Sequence, residues 1–538
     1  MNGILYYITL VVGLFMPIIA QTQTELSAEY AYLWTGREVY ISGEGIKFTG
    51  KIEGENLLSK VAYIELITPT GDKVNQSKLE LIDGVFSGEI LIPSDILSGY
   101  YFLRSYTKWM RNGSPLEYAY VLIKIINPHT HEVLAISDSL IDRHYKTEGI
   151  EHNVFIDSIV SIDHYMPKEM ISFSLNEQNR RTHISVIPKI ATPTRFQSHI
   201  RKETHYSQIL FYPETRGITL SGILKSKKTG EVLTFHKVSV HILGEKDLMS
   251  VLSDEKGRFH FALPKRTGLK ELFIIAASLD NDNVKIEIDQ DFCFQTIALK
   301  VPEFTIKESE KESILKMVQN HQVFEVFHEV DTIKPPKTNY NAFYGEAFKT
   351  IEISYYVPLD SLEQYFTDIP SWVEVKKSKK KRYFQIVGEQ GELKLFEPLV
   401  LIDWVPVDDA DRILAIRPAA VDRIDIITQS YIHGDILYGG IINVLTKDND
   451  FGGIKFPESG MYLNFNFYSK TISTEQNSSK FKNTYYWMPN IRRDSLNNGA
   501  SFIAPQLQGE YLILFQGIDK NGKAFNNQKR FNINSSNN

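Results

Sequence analysis

Through the first 300 residues the apolar side chains fall in short runs that alternate with polar ones at period two, as in Val39 to Phe48, Val61 to Leu66, Tyr118 to Ile126 and Met170 to Leu175. Alternation at that period gives a strand one core face and one solvent face. Turn residues at regular spacing between the runs predict β-sandwiches. A third β region spans Gly217 to Leu299, with Ile218 to Ile223, Val238 to Ile242, Arg258 to Leu263 and Leu272 to Ala277 bounded by Thr229-Gly230 and Asp254-Glu255-Lys256-Gly257. After Pro302 the apolar spacing changes to three and four, at Ile314, Leu315, Met317, Val318, Phe324 and Phe327. That predicts a helix within Ile306 to Phe327, closed by Pro335-Pro336. From Ala347 the reading is mixed: helical turns at Pro358 to Phe366 and Ala410 to Leu414, with strands at Tyr383 to Val387, Pro398 to Asp403, Val421 to Thr428 and Ile441 to Thr446.

Two patterns recur. Tyr40, Glu44, Ile46 and Phe48 have the spacing of Tyr165, Glu169, Ile171 and Phe173, which predicts two similar sandwich modules. A glycine and phenylalanine followed by a Gly-aromatic strand occurs at Gly84, Phe86, Gly99, Tyr100 and Phe102, and again at Gly499, Phe502, Gly509, Tyr511 and Ile513. The second occurrence predicts a further small β unit at the C-terminal end.

The stretch PLVLIDWVPV from Pro398, followed by VDRIDIIT from Val421 and YGGIINVLTK from Tyr438, resembles the plug domain of TonB-dependent outer-membrane receptors of Bacteroidota. It departs from that pattern at Trp404, where the family has glycine, and at Tyr431-Ile-His-Gly434. Only Phe451 to Asn538 follows, less than a receptor barrel takes, so transport by this chain alone is not expected. YISGEGIKFTGKI from Tyr40 and SGYYFLRSYTKWMRN from Ser98 resemble the macroglobulin-type sandwich of secreted Bacteroidota proteins. RGITLSGILKSKKTGEVL from Arg216 with SDEKGRFHFALP from Ser253 is similar to the carboxypeptidase-regulatory-like sandwich, and TYYWMPNI with GEYLILFQGID resembles the C-terminal β module of the same multi-domain proteins.

The expected fold is mainly β, with tandem immunoglobulin-like or macroglobulin-like sandwiches plus a small α+β plug-like domain. The expected divisions are a signal peptide at 1–20, a macroglobulin-like sandwich at 25–127, a second at 150–212 and a carboxypeptidase-regulatory-like sandwich at 213–300. A helix and linker at 301–340, the plug-like domain at 345–450 and a C-terminal β module at 451–538 complete the chain. The uncharged, apolar stretch Ile4 to Ala20 carries the signal reading, cleaved or retained as an anchor. An exported protein of the periplasm or outer membrane follows.

Composition narrows the function. Lys plus Arg number 59 against 65 Asp plus Glu, with 43% apolar residues, so the chain is an ordinary globular one and not a nucleic-acid binder. The single cysteine, Cys293, permits no intrachain disulfide; its Phe292-Cys293-Phe294-Gln295 setting lacks a thioester motif and predicts a buried thiol in a strand. His129, His131 and Glu132 read as a surface turn or a metal site; His321 and His328 lie seven apart on the predicted helix without a third ligand. No nucleophile elbow, phosphate loop or dinucleotide fingerprint is present, and the expectation is a non-enzyme without metal or cofactor.

Two candidate sites remain. Asp403, Trp404, Val405 and Pro406 form a candidate interaction loop, since an indole beside proline at a strand end is costly to expose without use; the alternative is Trp404 packed under a neighbouring strand. Lys376, Lys377, Lys379, Lys380, Lys381 and Arg382 form the one basic block, a solvated loop or a contact for anionic lipid or lipopolysaccharide. The function implied is a binding scaffold whose plug-like domain docks on or occludes the barrel of an outer-membrane or periplasmic partner. The alternative is a thioester-less macroglobulin-like binder of proteases or peptides.

Overall fold

In the first sandwich the run from Val39 to Phe48 is two strands, not one. Glu44 Oε2 accepts the Ile41 N–H at 2.7 Å and Gly43 adopts φ 88°, so the chain turns from one sheet into the other between Val39–Ile41 and Gly45–Gly54. A computed structural model describes residues 28–143, 158–159, 164–174, 179–189, 197–198, 206, 209–276, 284–327, 341–369, 372–378, 381–387, 391–433, 436–454, 460–472, 474–476, 483–492, 500–519 and 524–534. The sandwich packs Glu29–Thr35, Gly45–Gly54 and Val85–Leu91 against a sheet ordered Val39–Ile41, Ala119–Ile126, Gly99–Tyr106, Val61–Ile67 and Lys73–Glu80, in which Gln197–Ser198 also pairs with Ala119–Ile126 beside Val39–Ile41. The short first strand of the larger sheet pairs in parallel and the rest are antiparallel.

The second sandwich repeats the order of three strands in the smaller sheet and five in the larger, and adds Glu475–Gln476 at the far edge of the larger one. Its smaller sheet is Ser158–Ile159, Met170–Ser174 and Ala500–Ile503; its larger one runs His164–Tyr165, Ala524–Ile533, Gly509–Asp519, Asn179–Pro188, Tyr486–Arg492 and Glu475–Gln476. The recurring residues have recurring jobs. Glu169 Oε2 accepts the Met166 N–H at 2.8 Å, as Glu44 does for Ile41. Tyr101 donates its hydroxyl to the Leu97 carbonyl at 2.8 Å, and Tyr511 to that of Leu507 at 2.7 Å.

The expected modules at 150–212 and 451–538 are therefore not separate: their strands from Ser158 to Pro188 and from Glu475 to Ile533 form one split domain, while Gln197–Ser198 and Met461–Asn466 pair in the first and third sandwiches. In the first sandwich, Val61–Ile67 passes to Lys73–Glu80 through a tight turn closed by Thr68 N–H to the Asp72 carbonyl, 2.9 Å. At the matching point of the second sandwich, between Asn179–Pro188 and Tyr486–Arg492, the chain leaves after Pro188 and returns at Glu475–Gln476, which pairs with Tyr486–Arg492. A hairpin turn accepts such an insertion because its two ends are already adjacent and closure entropy grows slowly with loop length.

The insertion nests again. A third sandwich packs Arg258–Ala262, Thr219–Ser226 and Val284–Ile288 against Leu248–Leu252, Lys237–Ile242, Leu269–Ala276 and Met461–Asn466. That last strand arrives only after the α+β domain has been traversed. The domain's sheet is ordered Lys349–Glu352, Val421–Ile427, Ile441–Thr446, Leu399–Ile402 and Val405–Pro406, with Leu399–Ile402 parallel to Ile441–Thr446. Helix α1 (Glu308–Phe327) buries Ile314, Met317 and Val318 between Val39, Ile41 and Ile126 of the first sandwich and Ile187, Leu512 and Leu514 of the second. Helices α2 (Leu362–Thr367) and α3 (Ala410–Leu414) cover one face of the α+β sheet. On its other face, Leu399, Leu401, Tyr438 and Ile441 pack with Leu248 of the third sandwich. Among the described residues no helix is long and apolar enough to cross a membrane.

Candidate functional site

The first and third sandwiches meet across buried charge. Arg104 pairs with Glu65 at 2.6 Å, both almost wholly buried, and also donates to the Cys293 carbonyl at 3.3 Å. Lys78, without exposed surface, pairs with Asp291, donates to the Asn466 carbonyl at 2.8 Å and lies 3.9 Å from the Phe465 ring centre. Glu214 accepts the Tyr63 hydroxyl at 2.9 Å and both the N–H and hydroxyl of Thr219, at 2.7 and 2.9 Å. Burial raises the pKa of Glu214 and lowers that of Lys78. Arg104 and Glu65 lie on paired strands of the first sandwich, while the Lys78 contact with Asn466 and the Glu214 contacts with Tyr63 and Thr219 cross to the third, and removing one partner of a buried ion pair is strongly destabilising.

Above this seam opens a cleft of about 860 Å³. On one side, the short 3-10 turn Trp109–Asn112 and the residue before it present Lys108 and Arg111, both buried. Lys108 donates to the Thr219 hydroxyl at 2.9 Å, and Arg111 to the Gln290 and Asp291 carbonyls at 3.1 and 2.8 Å. Arg111 also lies 4.0 Å from the ring centre of Phe211. Asn112 fixes the neighbouring segment: its Oδ1 accepts the Leu210 and Phe211 N–H groups at 2.8 and 2.9 Å, and its Nδ2 donates to the Phe211 carbonyl at 2.7 Å. The opposite side is the outward face of the third sandwich, where Thr219, Ser221, Arg258 and His260 project on alternate positions of two paired strands. Asp289 accepts the Ser221 hydroxyl at 2.6 Å and pairs with Arg258. Burial and then the Arg258 charge lower the pKa of His260. On the rim, Leu210, Tyr212 and Phe294 are 65%, 67% and 60% exposed.

The expected interaction loop is not on the surface. Asp403 and Trp404, at φ 44° and 72°, form the two-residue turn of the hairpin Leu399–Ile402 and Val405–Pro406, and all four residues from Asp403 to Pro406 are buried. The Asp403 carboxylate accepts the Thr446 N–H at 2.7 Å, its hydroxyl at 2.5 Å and the Phe451 N–H at 2.9 Å. Trp404 stacks on Tyr344 with centroids 5.4 Å apart, and Val405 packs on Phe273 and Ile275 of the third sandwich. With Lys237 pairing to Asp408 at 2.9 Å, this turn fastens the α+β domain to the third sandwich. Stacking on Tyr344 explains how tryptophan is held at a left-handed position that favours glycine.

The basic block is a hairpin, not a loop. Lys376 and Lys377 lie in Val373–Ser378, and Lys381 and Arg382 in Lys381–Ile386; Lys379 and Lys380 fall outside the described residues. Arg382 pairs with Asp411 and Glu363, and Lys376 with Glu374 at 3.0 Å. Cys293 is buried, as expected, but in an extended segment that is not a strand; Tyr118 donates to its Sγ at 3.6 Å. His129 and His131 sit on an exposed turn with the His129 N–H on Asn127 Oδ1 at 2.8 Å. His321 lies 3.3 Å from Glu325, and His328 is outside the described residues. Among the described residues no group of three metal-ligating side chains converges.

The cleft residues were not singled out from sequence. The available signal was the juxtaposition in KWMRN of two cations bracketing Trp109-Met110, and the apolar run Ile209 to Pro213 next to Glu214. Their meeting depends on a domain contact that no local pattern encodes.

No protein-family model matches the chain, and no curated protein matches it. Among solved structures, Escherichia coli alpha-2-macroglobulin in its native conformation aligns with 94% of this chain and 40% of its own, at 8% identity and a TM-score of 0.21. The same protein activated by porcine elastase aligns with 94% of this chain and 53% of its own, at 10% identity and a TM-score of 0.16. The chain thus spans about half or less of the length of these bacterial macroglobulins. Overlap at those scores transfers neither a fold nor an activity.

Proposed function

We propose that the chain is a non-enzymatic, exported binding scaffold of a Bacteroidota-type envelope, in which the nested sandwiches carry a plug-like domain to a partner outer-membrane barrel. The observation that supports this reading is how the α+β domain is mounted. Its Asp403–Pro406 turn is spent on the third sandwich, while the edge strand Lys349–Glu352 at the far side of its sheet is bordered by exposed Phe348, Tyr355 and Val357. Phe348 meets the half-exposed Trp372 edge-on at 6.1 Å. An open strand edge flanked by aromatic groups suits a partner that adds a strand. Of the basic block's described residues, Lys377 and Lys381 are left for contact with anionic lipid, since Lys376 and Arg382 are already paired.

The test is photo-crosslinking in cells from Tyr355, with buried Trp404 as the control position. A barrel protein captured from Tyr355 and not from Trp404 is the expected result; capture from neither overturns the reading. The cleft favours a second reading, a thioester-less macroglobulin-like peptide binder, because its charged and apolar groups are fixed in place beforehand.

A further inference from the structure

We propose that the cleft between the first and third sandwiches binds an acidic peptide segment in which carboxylates alternate with aliphatic or aromatic side chains. The inference rests on the peptide-binder reading and names its ligand. Charge comes first. Lys108, Arg111, Lys256 and Arg258 line the cleft against one lining carboxylate, Asp289. Beneath it Asp291 is paired with Lys78, and Glu214 accepts from the neutral Tyr63 and Thr219, so the four cations outnumber the two carboxylates Asp289 and Glu214. The field in the opening is therefore positive, and low-dielectric walls concentrate it.

These cations come from separate segments, one pair on the first sandwich and the other on the third. Such spacing suits several separated negative charges better than a single headgroup. The apolar component lies at the rim: Leu210, Tyr212 and Phe294 are exposed, and Asn112 holds the backbone of the Leu210 segment so that little ordering remains to be lost on binding. The face of the third sandwich in the cleft is polar, with Thr219, Ser221, Arg258 and His260. An acyl chain laid there would cover hydroxyls and charges without satisfying them, whereas a peptide offers polar backbone groups to the same surface. The volume lies within the range of about 300–1,000 Å³ typical of ligand sites.

The test uses the full chain and a fluorescein-labelled octapeptide alternating Leu and Phe with Glu and Asp, read by polarisation at low and moderate salt. Lys256→Glu and the pair Leu210→Ser with Tyr212→Ser change exposed groups, so the thermal midpoint should stay unchanged. Each is expected to weaken binding by about tenfold, and the Lys256→Glu effect should shrink as salt rises. A peptide with Lys in place of Glu and Asp is expected not to bind. Equal binding of that peptide, indifference to both variants, or binding to phosphatidylglycerol vesicles in place of the peptide overturns the proposal. Loss of peptide binding on Lys256→Glu alongside intact crosslinking from Tyr355 supports the cleft as a site separate from the barrel contact. Intact crosslinking with no peptide binding at all removes the cleft proposal and leaves the scaffold reading standing.

Discussion

The first sandwich takes all its strands but the two-residue edge pair Gln197–Ser198 from Glu29 to Ile126, whereas the second opens at Ser158 and is completed only by Ala524–Ile533, yet the two share the order of eight strands, the glutamate-closed turn and the tyrosine that hydrogen-bonds four residues back. The difference teaches that this fold is defined by pairing and not by chain continuity. The first can form from local hairpins. The second must wait for strands more than 300 positions away, at a cost in folding rate for non-local topology. Their surroundings differ as well. Glu44 is buried, pairs with Arg37 at 2.7 Å and accepts from Asn483 at 2.8 Å. Asn483 also donates to the Met317 carbonyl of α1 at 3.0 Å, so the point where the chain re-enters the second sandwich is tied to the first.

Truncation breaks the comparison most severely. A chain ending at residue 474 loses five described strands of the second sandwich and none of the first. Amide hydrogen exchange should then show protection retained over Val61–Ile67 and lost over Asn179–Pro188. Equal protection in both would mean that the second sandwich is not cooperative across its insertion.

Next in size is Glu65→Ala, which strands buried Arg104 on the first sandwich. Urea unfolding should report a loss of about 3–5 kcal/mol. The double change Glu65→Leu with Arg104→Met should recover much of it, since the penalty lies in the unpaired charge.

The seam between the first two sandwiches has a different chemistry and a different pH response. His183 of the second sandwich lies between Trp34 and Trp487, 5.6 Å from each ring, with Gln516 at 2.7 Å, and burial pushes its pKa down to about 4. Between that value and about 6.5 the unfolded chain holds the extra proton. The linked stability is therefore complete above about pH 6.5 and is lost as pH falls through 4, amounting to roughly 3 kcal/mol. His241, also held near 4, has the same sign, so the measurement is the difference in denaturation slope between the parent and His183→Gln. Parallel slopes would refute the assignment. Glu214, raised by burial at the other seam, acts oppositely: its contribution is present below the usual glutamate pKa and is lost as pH rises through its folded value.

The smallest expected effect sharpens the equivalence. Tyr101→Phe and Tyr511→Phe each remove one hydroxyl-to-carbonyl bond in matching places and should each cost about 1 kcal/mol. A cost at one position alone would mean that the two corners do not play the same part.

Much of the local structure was legible. Apolar alternation located the strands to within a residue or two at Val61–Ile67, Lys237–Ile242 and Ile441–Thr446, and the spacing of Ile314, Met317 and Val318 located α1. Both halves of the second sandwich were visible too, as the Tyr165 and Gly499 repeats. They read as separate modules because nothing in a strand's own residues names a partner beyond an insertion. The site was less legible. Asp403 to Pro406 read either as an interaction loop or with Trp404 packed under a neighbouring strand, and what decides for burial is Tyr344 and the third sandwich. The basic block suggested a loop, but Val375 and Phe384 alternate inward and draw the lysines into a hairpin.

By itself, then, the sequence determined the class of the fold, the existence and type of its elements, and the repeated motifs, because side-chain periodicity and turn chemistry act over a few residues. The tertiary structure decided which strands complete which sandwich, where Asp403 to Pro406 is spent, and that Lys108, Arg111, Lys256 and Arg258 face one opening. Those outcomes depend on burial and on charges brought together from distant segments, and burial is a property of the assembled surface.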